Sequence, residues 1–591
     1  MDSARESQPS RDGARPDDVG CSAWQPGVAA RIPAEFRALE TIAREDCASV
    51  GVEELDRMAD LTGLAAEELA AFRPARLALH EVIVRVTADI AVAEGEAEED
   101  FGHNFRRIAR RILEVDVAPR MPAIEAAHAA LVAQAEALAR DILARTLFAA
   151  EKPEPRPGLF RRLFGGGVRP VAKPAGGESV AERDFRIVGE YKAAGLAAAD
   201  PLGQAVYKSL YRLLGAILAR RGRIAADPAL LARLVARHVG NSHGGTLIGQ
   251  RIGPLVDAAI DREGYARVVA REKPVLISLK GASAAGKSSL RPMLRKVMRE
   301  LGMEPEGYAT ISPDIWRRLL LDYEALGPAR KYAGHLTSRE VLVIDGKLDR
   351  HIRAKADREH SLPHFLVDRF RFDSFSSEKV ARVLHDTYVR HVDTMVMYFI
   401  VTPPEETVER GWRRALERGR YKSVEDFLGH GVEAYQGMPK LFFKWLAYRR
   451  PTFRYEFLDN RVPRGSFPKL VARGNQQHIV IHDPVVLVDI ERYRRVNIHA
   501  ASPAEVYPPA EELAATENRG FLEEILRRLP TVEFALDERV YLRVVARRFE
   551  VADRAVLARA LAVPALGEVL AAIAPADVLA IAGAQAAPDP A

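Results

Sequence analysis

Short apolar runs alternate with segments of helical spacing from about residue 272 to about residue 484. This alternation is typical of an α/β domain built around a parallel sheet. In such sheets the ligand binds at the carboxyl ends of the strands, so the residues that follow each run are the candidates for chemistry. The runs predict strands at 274–279, 308–311, 364–367, 395–401 and 454–458, and an additional edge strand at 478–482.

Outside this region the hydrophobic pattern is that of helices. The most regular stripe has apolar residues three and four positions apart, and such a stripe is usually the core of a helix bundle. It consists of Ile124, His128, Leu131, Ala135, Leu138 and Ile142. We therefore interpret His128 as a core or edge histidine. A second face consists of Val206, Leu210, Leu213, Leu214 and Leu218, and the spacing recurs at Leu522, Ile525 and Leu526.

Two segments lack any such pattern. Residues 1–32 are rich in Ser, Asp, Arg, Pro and Gly and are predicted to be disordered. Residues 151–182 hold closely spaced prolines and three consecutive glycines, the composition of a linker. The chain therefore divides into a disordered start at 1–32, a helical domain at 33–150, a linker at 151–182, a helical region at 183–270, an α/β domain at 271–484 and a helical C-terminal region at 485–591.

Composition narrows the class of protein. A chain of 591 residues, 48% hydrophobic and 28% charged, is long enough for several globular domains. The 86 basic and 81 acidic residues leave a net charge of +5, which gives no overall argument for a nucleic-acid partner. Cys21 and Cys47 are the only cysteines, which excludes a disulfide framework or a cysteine-based metal site. No signal-peptide core and no membrane-spanning apolar run are present, so we expect a cytoplasmic protein.

The strongest motif lies directly after the first predicted strand. Residues 281–288 spell G-x-x-x-x-G-K-S, a phosphate-binding loop, and a segment of helical spacing follows. This context lets backbone N–H groups and a helix N-terminus face the phosphates of a nucleotide. Lys287 is expected to reach the terminal phosphates and Ser288 the magnesium ion. The predicted nucleotide-binding residues are Gly281, Ala282, Ser283, Ala284, Ala285, Gly286, Lys287, Ser288 and Ser289.

A carboxylate follows the second predicted strand. Asp314 is placed to accept a proton from a substrate hydroxyl that attacks a terminal phosphate. Arg317, about one helical turn further on, shares a face with Asp314 and is a candidate to bind an anionic part of the substrate. The alternative is that Asp314 simply caps the helix that begins at Ile315.

The third predicted strand ends in Asp368, which we favour as the carboxylate that holds hydrated magnesium. Asp345 also ends an apolar run, but the apolar spacing continues beyond it and predicts a helix. After Asp368, the extended segment places Arg369 and Arg371 on one face. These two arginines are candidate substrate ligands, and a buried ion-pair strand is the alternative that the pattern leaves open.

A basic helix follows the fourth predicted strand. Thr402-Pro-Pro-Glu405 predicts a helix start with a capping box and proline at the first helical position. Arg410, Arg414 and Arg418 then recur every four residues, a stripe suited to the charge of a transferring phosphoryl group. The alternative is an ordinary solvated face, because glutamates are interleaved with the arginines. The position between a strand and Gly419-Arg420-Tyr421 favours a lid.

Taken together, these motifs resemble the zeta-toxin branch of P-loop kinases, close to polynucleotide-kinase-like enzymes, over about residues 272–465. The resemblance rests on the P-loop, on Asp-x-x-Arg after the second strand, and on the spacing of the lid. It implies that ATP and magnesium bind at Lys287 and Ser288 and that Asp314 is the base. It implies further that Arg410, Arg414 and Arg418 are the lid arginines. Zeta toxins phosphorylate a sugar hydroxyl of UDP-N-acetylglucosamine.

The sequence therefore predicts an ATP- and magnesium-dependent kinase acting on a hydroxyl of a phosphorylated or nucleotide-linked small molecule. Two alternatives remain at this point. The first is a kinase of nucleic-acid 5′ ends, and the second is an ATP-gated switch whose helical domains bind a protein partner. Domain order also raises the idea that the N-terminal helices inhibit the kinase core.

Overall fold

The computed structural model describes residues 20–148, 179–369, 388 and 390–582. They separate into two compact units. The first, the sheet unit, takes its residues from 1–36, 83–110 and 260–591. The second, the helical unit, takes its residues from 37–82 and 111–259. Residues 1–19, residues 151–178 of the predicted linker, and Arg371 lie outside the described residues.

The described part of the sheet unit forms a ten-stranded sheet. Its strands are β1 (Val275–Lys280), β2 (Tyr308–Ile311), β3 (His364–Asp368), β4 (Thr394–Val401), β5 (Thr452–Asp459), β6 (Lys469–Asn475), β7 (His478–Ile481), β8 (Thr531–Leu536), β9 (Arg539–Val545) and β10 (Arg548–Val551). Their order across the sheet is β10-β9-β8-β7-β6-β5-β4-β1-β3-β2.

Strands β1 to β5 are the parallel half of the sheet. Leu276 pairs with Phe365 of β3 on one side and with Met395 of β4 on the other. All six residues of β1 are buried, as expected for an apolar run covered on both faces. Because the strands are parallel, the carboxyl ends of β1, β3 and β4 meet at one edge of the sheet, where the predicted site residues follow them.

Strands β6, β8, β9 and β10 extend the sheet beyond what the sequence predicts. The strand predicted at 478–482 is present as β7, but it is not an edge strand, because β6 lies on one side of it and β8 on the other. The prediction of a helical region at 485–591 is also wrong in part, because β8, β9 and β10 lie within it. Along β8, Val532 and Phe534 are buried while Thr531 and Glu533 are only partly so, which is the alternation of a half-covered strand.

The helices are numbered in chain order. Those before β1 are α1 (Val52–Thr62), α2 (Ala66–Leu69), α3 (Pro74–Asp89), α4 (Asp100–Ile112), α5 (Met121–Arg145), α6 (Val180–Ala197), α7 (Pro201–Arg221) and α8 (Pro228–Glu263). Those after β1 are α9 (Lys287–Met293), α10 (Arg295–Glu300), α11 (Arg317–Leu320), α12 (Ala333–Leu336), α13 (Ser338–Glu359), α14 (Pro404–Arg418), α15 (Val424–Leu446), α16 (Pro484–Tyr493), α17 (Gly520–Arg528), α18 (Arg554–Leu561), α19 (Pro564–Ile573) and α20 (Ala576–Ala580).

In the helical unit, α7 packs against α1, α5 and α6. The apolar stripe predicted on α5 is buried, except that Ala139 takes the buried position expected for Leu138. His128 is buried, and its Nε2 lies 3.1 Å from the carbonyl oxygen of Gly240. It is therefore a core histidine with a backbone partner, as the sequence indicates.

Residues 83–110 lie in the sheet unit, although the sequence places them in a helical domain at 33–150. Two buried acidic residues account for this. Asp89 forms ion pairs with His351 and Lys355 of α13, and Glu94 forms one with Arg291 of α9. These contacts fasten the segment to the helices that flank the sheet.

Part of the predicted disordered start is also described. Residues 20–32 are irregular, but Ala23 and Val28 are buried. Within the described residues, no single helix is both long and apolar enough to cross a membrane, and α18 with α19 meets that test only as a pair bent by 112°.

Candidate active site

The loop 281–288 connects β1 to α9, as the motif predicts. Gly286 has a φ of +98°, and a Cβ there would overlap the side-chain amide of Asn460, so glycine is required. The Lys287 ammonium donates to the carbonyl oxygens of Gly281 at 2.9 Å and Ala282 at 2.8 Å. The loop forms one wall of a pocket of about 840 Å³, a volume suited to a nucleotide-sized ligand.

The side chains of Thr402 and Asn460 both donate hydrogen bonds to one backbone carbonyl group of the loop. The carbonyl oxygen of Ala285 accepts hydrogen bonds from Thr402 Oγ1 at 3.1 Å and from Asn460 Nδ2 at 2.7 Å. The predicted capping role of Thr402 is wrong, because α14 begins at Pro404 with Pro403 as its N-cap and no side-chain cap. The Thr402 hydroxyl is instead buried just after β4, where it donates its hydrogen bond to the loop.

Ser288 and Asp368 form the predicted metal pair. Ser288 Oγ donates to Asp368 Oδ2 at 3.0 Å, because β3 lies next to β1 and ends level with the loop. No cluster of three or more His, Cys, Asp or Glu side chains suited to a metal occurs among the described residues. Magnesium commonly takes only one or two protein oxygens and completes its shell with phosphate and water, so a hydroxyl beside a carboxylate fits it.

Asp345 lies on α13, as the sequence predicts, and its carboxylate faces Arg369 rather than the loop. Arg369 Nη2 is 3.0 Å from Asp345 Oδ1, and its Nη1 is 2.9 Å from Asp349 Oδ1. Burial by itself lowers the pKa of Arg369, but the two carboxylates outweigh it and raise the pKa. Of the two alternatives for Arg369, the structure shows the buried ion pair, although its side chain also lines the pocket.

Asp314 sits in a 3₁₀ turn directly after β2. Its Oδ2 lies 2.6 Å from Arg420 Nη2 and its Oδ1 lies 3.1 Å from Arg317 Nε. The side chain caps no helix and is 49% exposed toward the pocket. Burial by itself raises the pKa of Asp314, but Arg420 and Arg317 outweigh it and hold the pKa well below its usual value. The carboxyl group is therefore ionised at neutral pH.

The predicted lid arginines line the same pocket. Arg410 donates to the carbonyl oxygen of Asn460 at 2.6 Å, and Arg418 donates to Glu98 at 2.7 Å. Both side chains are only 21% exposed, which does not agree with a solvated face. Within the described part of the chain, Nε and Nη2 of Arg414 are buried and have no hydrogen-bond partner. Burial and the nearby Arg420 lower the pKa of Arg414 to about 9.

Two further polar pairs that line the pocket were not predicted. Lys422 Nζ donates to His430 Nδ1 at 2.9 Å, and His335 Nε2 lies 2.8 Å from Asp426 Oδ2. Burial, with Arg420 and Arg414 nearby, lowers the pKa of Lys422 to about 7. Burial and Lys422 lower the pKa of His430 to about 3, so this ring is neutral and accepts from Lys422.

Glu98 is a further pocket residue that sequence reasoning missed. The available signal was the acidic run Glu94-Gly-Glu-Ala-Glu-Glu-Asp100, but nothing in the run says which part of the fold it contacts. For Arg420, the sequence feature that could have indicated a place in the pocket was its position directly after the predicted lid helix. Its pairing with Asp314 depends on a contact between residues 106 positions apart along the chain.

Comparison with known proteins gives distant structural matches alone. No protein-family model matches the chain, and no curated protein matches it by sequence. AvrRxo1-ORF1:-ORF2 with ATP matches at a TM-score of 0.30 and 12% identity, over 39% of this chain and 66% of that chain. The same complex with sulphate ions matches at a TM-score of 0.30 and 13% identity, over 43% of this chain and 76% of that chain. The PezAT toxin-antitoxin system of Streptococcus pneumoniae matches at a TM-score of 0.22 and 15% identity, over 32% of this chain and 69% of that chain.

Proposed function

We propose that this protein is an ATP- and magnesium-dependent kinase that phosphorylates a hydroxyl group of a phosphorylated or nucleotide-linked small molecule. The observation that carries the proposal is that Lys287, Asp314 and Arg414 line one pocket. A phosphate-binding loop, an ionised carboxylate and a guanidinium group whose buried nitrogens have no partner among the described residues are parts that phosphoryl transfer uses.

The nucleotide is expected to bind along the loop. The backbone N–H groups of residues 281–288 and the N-terminus of α9 are suited to its phosphates, and Lys287 carries the compensating charge. The segment Asn460–Pro463 lines the adjoining part of the pocket and offers a wall for the base. Ser288 and Asp368 would hold magnesium, which when bound neutralises charge on the phosphate oxygens.

The transfer step follows from the position of Asp314. The hydroxyl oxygen of the acceptor attacks the γ-phosphorus, the bond from that phosphorus to the β–γ bridging oxygen breaks, and ADP leaves. The hydroxyl proton passes to the Asp314 carboxylate. A carboxylate with a depressed pKa is a weak base, and this suits a loose transition state in which the hydroxyl loses its proton late. Arg414 is placed to stabilise the charge on the transferring group.

The lining of the pocket has more basic than acidic side chains. It includes eleven Lys and Arg residues and eight Asp and Glu residues. Such a lining suits anionic ligands, which here would be the phosphates of ATP and a phosphorylated or nucleotide-linked acceptor. This charge distribution supports an anionic small molecule as the acceptor class.

The test is transfer of label from γ-labelled ATP into a bacterial small-molecule extract. The full chain is expected to yield a labelled metabolite, Lys287→Ala is expected to abolish it, and Asp314→Asn is expected to slow its formation by about 10²-fold or more. Asp322→Asn, a change to an exposed aspartate outside the pocket, serves as the matched control and should behave as the unaltered chain. Label that appears only in free phosphate, or in an added oligonucleotide rather than in a metabolite, would contradict the proposal.

A further inference from the structure

The side chain of Glu98 bridges two parts of the proposed nucleotide site. Its Oε2 accepts a hydrogen bond from Ser289 Oγ at 2.9 Å, at the start of α9. Its Oε1 accepts from Arg418 Nη1 at 2.7 Å, and Arg418 Nη2 reaches Oε2 at 3.2 Å. Glu99 also forms an ion pair with Arg418. A carboxylate from residues 94–100, which we call the acidic segment, therefore joins the loop helix to the lid.

The rest of the acidic segment is anchored beside the sheet. Glu94 is buried, lies 3.2 Å from Arg291 Nε and accepts from Thr310 Oγ1 at 2.6 Å. Within the segment, Asp100 Oδ2 accepts from the backbone N–H groups of Glu96 and Ala97, both at 2.8 Å, and closes a turn. Glu98 thus projects from a turn whose first residue is anchored beside the sheet.

The partners of Glu98 are those that a phosphate group would use. A serine hydroxyl at the N-terminus of the loop helix and a forked guanidinium group donate equally well to a carboxylate and to phosphate oxygens. The Ser289 hydroxyl has a single proton, which Glu98 accepts, and both Nη groups of Arg418 are engaged by Glu98 and Glu99, so a phosphate oxygen could use these donors only by displacing a carboxylate oxygen. Glu98 and the phosphates of a bound nucleotide must therefore compete for Ser289 and Arg418.

We propose that Glu98, supported by Glu99, occupies a phosphate subsite and makes the acidic segment a built-in competitor of ATP. This inference rests on the proposed function. The acidic segment must release Arg418 before the lid can act on a nucleotide, so the site is open in only a fraction of the molecules. The apparent affinity for ATP therefore equals the affinity of the open form multiplied by the fraction of molecules that are open.

The experiment is calorimetric titration of the full chain with ATP and magnesium. Glu98→Gln keeps the size of the side chain and removes its charge, and is expected to lower the dissociation constant for ATP by about tenfold, as when one molecule in ten is open. Glu98→Asp keeps the charge on a shorter side chain and should give an intermediate value. Glu96→Ala is the matched control, because Glu96 belongs to the same segment but is 94% exposed and pairs with Arg295 outside the pocket.

The outcomes separate the inference from the proposed function. If the unaltered chain and Glu98→Gln bind ATP equally while Lys287→Ala does not bind it, competition is wrong and the nucleotide site stands. If Glu98→Gln lowers turnover without changing ATP affinity, Glu98 positions Arg418 for transfer and does not compete. If no form of the chain binds ATP, both proposals fail. A melting curve for each variant shows that the comparison is made between folded proteins.

Discussion

Arg420 Nη2 lies 2.6 Å from Asp314 Oδ2, and this ion pair links the residue after the lid helix to the carboxylate after β2. The pair sets the protonation of the proposed base, because burial alone would raise the pKa of Asp314 and the guanidinium groups reverse this. The predicted lid sequence thus contributes to the environment of the proposed base as well as to the lining of the pocket.

Removing the Arg420 charge should shift the pH dependence of transfer. The depressed pKa keeps Asp314 ionised, and therefore able to accept a proton, well into the acidic range. In Arg420→Gln the effect of burial is no longer offset by this charge, so the pKa rises and the acid limb of the rate profile moves to higher pH. The measurement is kcat/KM against pH, with the exposed Arg449→Gln as the control. An acid limb that does not move would show that Asp314 is not the titrating group.

Asp314→Asn should separate transfer from nucleotide binding. The amide keeps the size of the carboxylate but cannot accept the proton, so kcat should fall by about 10²- to 10⁴-fold. The dissociation constant of ATP should stay within about twofold, because the proposal assigns Asp314 to the acceptor hydroxyl and not to the nucleotide. Parallel calorimetry and rate measurements test this. Equal losses in affinity and rate would place Asp314 in nucleotide binding.

Asp368 and Asp345 should respond differently to the same change. Asp368→Asn should raise the magnesium concentration needed for half-maximal transfer by about tenfold or more, because Asp368 pairs with Ser288 at the proposed metal site. Asp345→Asn should leave this concentration unchanged and lower the free energy of unfolding by about 1–3 kcal/mol, because it weakens a buried pair with Arg369.

Magnesium titrations and urea unfolding measure the two effects. Chelation with EDTA should also stop transfer, and added magnesium should restore it. The reverse pattern, in which Asp345→Asn changes the magnesium dependence and Asp368→Asn does not, would move the metal to the other carboxylate.

The lid helix should tolerate no side chain at Gly411. A Cβ there would overlap the ring of Phe427 on α15, so Gly411→Ala should cost about 1–3 kcal/mol of stability and shift the lid. Gly429→Ala on α15 is the matched control, because a Cβ at that position meets no atom within 4 Å. Because alanine favours helices, the control should be neutral or slightly stabilising. Urea unfolding of both variants decides the point, and equal midpoints would contradict the close packing of Gly411 against Phe427.

The sequence predicts β1 to β4 well because each is a largely apolar run, and it predicts β5 from the alternation of its aromatic residues with Arg454 and Glu456. It misses β6, whose seven residues include only two that are buried, so the run carries little hydrophobic signal. The helical prediction for the C-terminal region is correct at Leu522 and Ile525, which lie on α17, but does not extend to the alternating strands that follow.

For the site, local motifs predict the residues that follow strands, namely the loop, Asp314 and Asp368. They cannot predict contacts between distant parts of the chain. Glu98 is 191 positions away from Ser289 along the chain and 320 positions away from Arg418. No local pattern in the sequence predicts a contact between residues so far apart. The contacts of Glu98 are therefore visible only in the folded chain.

The antiparallel and C-terminal strands have a practical consequence for work on the isolated catalytic core. The motifs end near residue 465, but β5 pairs with β6, β6 with β7 and β7 with β8. A fragment cut at 465 or 484 would leave a strand with unpaired N–H and C=O groups, a template for self-association. Such a fragment could precipitate for reasons unrelated to catalysis, and the smallest piece with an intact sheet should run through Val551.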